Sequence, residues 1–167
     1  MMVVKHVVNQ CYKHAGNWTK MEERGCFYLS NPDDTKRGDS SINNPSKLLS
    51  SKEKLILDVS ITGPLKDASK GVLAPITLKV AENTGKSANK RFNEKKKEYA
   101  ERADANRFGF LPIILKSNGL MHPKSKEFFY KLAKDCSETK RIDICILYKY
   151  YLKRFSVCLQ RIYRGVD

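Results

Sequence analysis

No apolar run in this sequence approaches the roughly 20 residues that a bilayer-crossing helix needs, so a membrane span is not expected. Met1 to Val8 offers one lysine and a few valines, but neither a continuous apolar stretch nor a small-residue cleavage site, which argues against a secretion signal. Paired cysteines are also missing. Cys11, Cys26, Cys136, Cys145 and Cys158 stand far apart in an odd count, with no C-x-x-C pair and no histidine at zinc-finger spacing. Reduced and mostly buried thiols are the expectation, and with them an intracellular protein. No internal repeat or heptad register is visible, which excludes solenoids and long coiled coils. Acid is scarce as well: 18 Asp and Glu face 32 Lys and Arg, a formal charge of +14. An excess of that size attracts polyanions through counterion release without specifying a sequence. Nucleic acid is the expected partner, although ribosomal and membrane-surface proteins share the trait.

What is present fits one domain, since 167 residues suffice for a single core and not for two. Val3, Val4, Val7, Val8, Cys11 and Tyr12 recur at three-to-four spacing and predict a helix from about Val3 to Ala15, closed by Gly16. A first strand is expected over Arg24 to Leu29. The stretch Ser30 to Ser51 is rich in Ser, Asn, Asp and Pro and reads as loop, interrupted by a short edge strand at Asp39 to Ile42. In Lys54 to Thr62 the residues Leu55, Leu57, Val59 and Ile61 alternate with Ile56, Asp58, Ser60 and Thr62, the pattern of a strand with a polar site on one side. Gly63-Pro64 ends that strand, and a short strand or turn is expected near Ile76 to Val80.

Ser87 to Ala105 is helical by composition, and Phe108 to Leu115 is a strand-like apolar run stopped by Ser117-Asn118-Gly119. Pro123 suits the first position of a helix whose inner face is Phe128, Phe129, Leu132 and Ala133. The last segment, Ile142 to Tyr163, is a long basic amphipathic helix, with one break allowed. The fold class is therefore α/β, a mixed sheet of about four strands flanked by helices. The expected core covers about residues 1–120, with a basic helical extension over about 121–167.

Three residues stand out chemically. Asp39 follows Arg37-Gly38 where a loop turns into a strand. Asp58 lies mid-strand among apolar residues, where an unpaired charge would cost several kcal/mol. A metal ion would offset that cost, carboxylate oxygens being natural ligands of Mg2+ and Mn2+. Lys96 lies four residues after Phe92 and three before Tyr99, on the stripe that Ala88, Phe92, Tyr99 and Ala103 define, where it would orient a water or meet phosphorane charge. Plainer roles compete with each: a turn residue at Asp39, a structural lysine partner for Asp58, a snorkelling Lys96. His6, Glu22 and Glu23 are candidates for an extra metal ligand, with solvent as their default. Arg37, Lys95, Lys97, Lys116, Lys153, Arg154 and Arg161 are candidates for phosphate contact, the last three on a helix where Tyr148, Tyr150 and Tyr151 are interleaved.

The series His6, Arg37-Gly38-Asp39, Leu57-Asp58-Val59-Ser60-Ile61-Thr62-Gly63-Pro64, Glu94-x-Lys96-x-x-Tyr99 and Phe110 to Gly119 resembles the restriction-like endonuclease regions of the PD-(D/E)XK class found after reverse transcriptases of non-long-terminal-repeat retrotransposons. The tail Tyr151 to Arg161 resembles the basic helix that ends those regions. The resemblance implies a restriction-endonuclease-like core, DNA as substrate, with RNA the alternative, and a nuclear location inside a larger polyprotein with a reverse transcriptase. It also implies that Asp39 and Asp58 bind Mg2+ or Mn2+. The lysine of the family's E-x-K pattern would fall at Ser60 and is absent. In some relatives the lysine has moved to the following helix, and Lys96 takes that role here. Gly38 replaces the usual proline, and Lys116 stands where many relatives carry an acid. A catalytically silent nucleic-acid-binding module, a resolvase or viral RNA endonuclease of similar fold, and a basic ribosome-associated protein are the competing expectations.

Overall fold

A computed structural model describes residues 2–16, 18–21, 39–62, 85–116 and 119–164, and the statements below concern these. The expected strands at 24–29 and 76–80, the Gly63-Pro64 stop, and Cys26, Glu22, Glu23 and Arg37 lie outside them. Eight elements follow in order: α1 (Met2–His14), β1 (Trp18–Met21), β2 (Ser40–Asn43), β3 (Lys54–Thr62), α2 (Lys86–Ala105), β4 (Gly109–Lys116), α3 (Pro123–Lys140) and α4 (Ile144–Arg164). The four strands form one sheet in the order β1-β2-β3-β4. β1, β2 and β3 pair antiparallel, while β3 and β4 run parallel, the return being made through α2. The fold is thus α/β with a mixed sheet flanked by helices.

One expectation about a strand and one about a helix need correction. β2 is not an edge strand but lies between β1 and β3, and Trp18–Met21, which carries no clear alternation, supplies the outer strand. α4 is one continuous helix that begins at Ile144, because the Asp143 carboxylate just before it accepts the Cys145 and Ile146 N–H groups at 2.7 and 3.3 Å. α3 opens as its proline predicts, with His122 as the capping residue accepting the Lys124 N–H at 3.1 Å.

Alternation along β3 sends its side chains to two different environments. Leu55, Leu57 and Val59 join Ile113 and Leu115 of β4 in the main core, against Val4, Val8 and Tyr12 of α1, Phe128, Phe129 and Leu132 of α3, and Tyr151 and Phe155 of α4. Tyr12 meets Phe128 edge-on at 5.6 Å, and Phe129 meets Phe155 at 4.7 Å, geometries that aromatic quadrupoles favour. α3 and α4 therefore share the main core with α1 and the sheet rather than forming an extension to it. Ile56 points the other way, into a small cluster with Tyr99 and Ala103 of α2, to which Phe108 and Phe110 are added. The next two residues on that side are Asp58 and Ser60, both buried. The strands approach closely at Gly109, where a Cβ would stand 2.9 Å from a Leu55 methyl.

Candidate functional site

Asp39 precedes the first residue of β2 and is fixed to β3 twice. Its backbone N–H donates to the Leu57 carbonyl at 2.9 Å, and its carboxylate accepts the Val59 N–H at 2.8 Å. The other carboxylate oxygen is 2.5 Å from the Lys5 ammonium of α1, in a pair whose side chains are 9% and 13% exposed. Because Leu57 O and Val59 N both face β2, strand geometry turns the Val59 carbonyl to that side as well, one rung past the point where β2 begins.

Asp58 sits on the α2 side of the same strand. Its carboxylate meets the Lys95 ammonium at 3.1 Å and accepts the Ser60 hydroxyl at 3.2 Å. Burial pushes its pKa above the ordinary carboxylate range; Lys95 pulls it back, and the negative charge of Asp39 pushes it up again. The two acids therefore feel each other across the strand. Lys95 also lies 5.2 Å from the centre of the Tyr99 ring, and Tyr99 stacks on Phe110 at 5.0 Å. Tyr99 in turn is pushed up to about 12, by burial first and then by the Asp58 charge. Asp58, Lys95, Ser60 and Tyr99 are thus joined by contacts, and the Asp39–Lys5 pair acts on them through charge.

Asp39 and Asp58 lie near enough for the charge of one to act on the other, whereas Lys96 pairs with neither. Lys96 is exposed, and Lys95 is the α2 lysine turned toward Asp58. At 100° per residue the two lysines flank the buried stripe of Ala88, Tyr99 and Ala103 by roughly 50° on either side, so periodicity alone does not choose between them. The position of Asp58 does. Lys5 was missed altogether, since it lies beside the α1 stripe and its partner is distant in sequence. His6 is exposed, and among the described residues no hydrogen bond or ion pair joins it to either acid. Lys97 is exposed on α2, and Lys116 is buried at the end of β4, in register with Thr62. Lys153, Arg154 and Arg161 lie on α4, which packs on the sheet face opposite α2 and so away from Asp58.

No family model matches the chain, no curated protein matches it, and no solved structure matches it. Among the described residues there is no cluster of three His, Cys, Asp or Glu side chains able to hold a metal, and no helix is long and apolar enough to cross a membrane. Two carboxylates within reach of each other's charge offer oxygen donors, the ligand type that Mg2+ takes in ones or twos while keeping several waters.

Proposed function

We propose that this chain is a metal-dependent phosphodiesterase that hydrolyses nucleic acid, with DNA as its substrate, in the manner of the restriction-like endonucleases its motifs resemble. One observation supports the reading: two acids distant in sequence, one just before β2 and one on β3, feel each other's charge, and each is met by a lysine ammonium from a helix. Asp39, Asp58 and the Val59 carbonyl would hold Mg2+ or Mn2+. When bound, that ion lowers the pKa of a water and offsets phosphate charge. Lys5 keeps Asp39 oriented, and Ser60 braces Asp58. Lys95 stands where negative charge would gather on a bound phosphodiester, taking the role expected of Lys96. Lys96 lies exposed on the flank of the same stripe, and Lys86, Lys90 and Lys97 on the outer face of α2 suit backbone contact without sequence readout. Attachment to a reverse transcriptase in a larger polyprotein, and action in the nucleus, belong to the same proposal.

The rival with an observation in its favour is a catalytically silent nucleic-acid-binding module, because each carboxylate already has its own lysine. Incubation of supercoiled plasmid, branched DNA and single-stranded RNA with the protein and Mn2+ separates the two. Nicking that chelation stops and Asp58→Ala removes, with DNA retention intact, is the expected outcome. Retention of DNA without cleavage of any substrate in either Mg2+ or Mn2+ favours the silent module.

A further inference from the structure

α4 is apolar on two sides, and among the described residues only one is covered. Leu147, Tyr151, Phe155 and Leu159 are buried in the main core. On the other side Ile146, Tyr150 and Val157 are 64%, 42% and 42% exposed, and together with Lys153 and Arg161 they follow helical spacing along one line. Between this line and α1 lies a groove of about 420 Å³. Val7, Val157 and Cys158 supply its apolar lining, and Lys153, Arg154 and Arg161 its cations. Neither α1 nor α4 contains a single Asp or Glu.

Arg154 is held ready in this groove. Its guanidinium donates to the Tyr150 hydroxyl at 2.7 Å and to the Gln10 side-chain oxygen, and lies 5.5 Å from the Tyr150 ring centre. Both hydrogen-bond partners are neutral, and among the described residues no carboxylate pairs with this guanidinium. A guanidinium fork fixed in place with donors to spare is suited to a carboxylate or a phosphate.

We propose that this groove is a docking site for an amphipathic helical segment of another protein, one that carries carboxylates beside a stripe of aliphatic side chains. The stripe from Ile146 to Arg161 is about 22 Å long, the length of a four-turn helix laid along it. The aliphatic residues enter between Val7 and Val157, and the carboxylates meet Arg154, Lys153 and Arg161. A nucleic-acid strand fits less well. Stacking needs an open aromatic face, whereas the Tyr150 ring is engaged by Arg154 and by His14 and Tyr151 at 5.8 and 5.9 Å. Phosphates would also leave Ile146 and Val157 uncovered. The proposal is independent of the hydrolytic reading, because it concerns the opposite face of the sheet and needs no metal.

The test is fluorescence anisotropy of the full chain, at about 0.15 M salt and without divalent ions. The probe is a labelled synthetic helix of about 18 residues with leucines on one face flanked by glutamates, matched to the stripe length. A scrambled peptide of the same composition controls for the general positive charge. The patterned peptide is expected to bind at least about 10-fold more tightly than the scrambled one, and Val157→Asp to remove that advantage while the melting curve stays cooperative. Equal binding of the two peptides overturns the proposal, as does patterned binding indifferent to Val157→Asp. A labelled single-stranded DNA that displaces the peptide, and is itself lost with Val157→Asp, overturns it in favour of a nucleic-acid groove. Should the Val157→Asp variant melt non-cooperatively, Ile146→Asp serves in its place.

Discussion

The two faces of the sheet are made by alternate residues of the same strand, yet they do different work. Toward α1, α3 and α4, β3 presents Leu55, Leu57 and Val59 to a continuous apolar core. Toward α2 it presents Ile56, then Asp58 and Ser60, beside a cluster built on Tyr99 and Ala103. The first arrangement is what hydrophobic burial favours at every position. In the second, burial raises the pKa of an acid, and a nearby lysine opposes that shift. One face holds the sheet together, and the other holds charge against the tendency of the fold.

The sharpest way to break this contrast is at the acid. Asp58→Asn should cut metal-dependent plasmid nicking by about 10³-fold or more, roughly 4 kcal/mol in the barrier, while leaving a cooperative thermal melt. Cleavage that survives the change would remove Asp58 from the catalytic assignment. On the apolar side, Phe129→Ala should cost about 3–5 kcal/mol in denaturant unfolding, since it empties a fully buried site between Tyr12 and Phe155. A cost below about 1 kcal/mol would mean that this core is not what holds the domain.

Lys95→Ala should then lower nicking by about 10²-fold, with Lys96→Ala staying within about twofold. The reverse ranking would return the role to the lysine that sequence periodicity suggests.

The effect of pH follows from Asp58. Its folded-state pKa is raised, so the protonated form is favoured by folding; the contribution to stability is present at low pH and fades as pH rises through the raised value. A divalent ion bound by the ionised acid should restore stability in that upper range. The rise in melting temperature given by Mn2+ is therefore expected to be larger at about pH 8 than at about pH 5. A shift that does not vary with pH would place the ion elsewhere.

The smallest effect belongs to Tyr12, whose buried hydroxyl has no hydrogen-bond partner among the described residues. Tyr12→Phe should raise stability by about 1 kcal/mol. A loss of similar size would reveal a partner for that oxygen.

Much of this fold is legible in the sequence. Alternation in β3 marked both its faces, Pro123 marked the start of α3, and the spacing of valines marked α1. The sequence also placed Asp58 mid-strand and Asp39 at the start of one, which is where each acid lies. Three things were not readable, each for a physical reason. Lys95 and Lys96 flank one helical stripe almost equally, so only the tertiary position of Asp58 decides between them. Lys5 acts through a carboxylate far away in the chain. β1 is four residues, Trp18–Met21, too short for alternation to register.

Asp39 is tied to β3 through its own N–H and through its carboxylate, to two successive residues of one strand edge. A slip of β2 by one rung would break both ties at once and carry the acid away from Asp58. Correct strand pairing and a working charge cluster are consequently a single event. Phosphodiester cleavage, or Mn2+ uptake, would thus double as a gauge of whether refolded chains have found the right alignment.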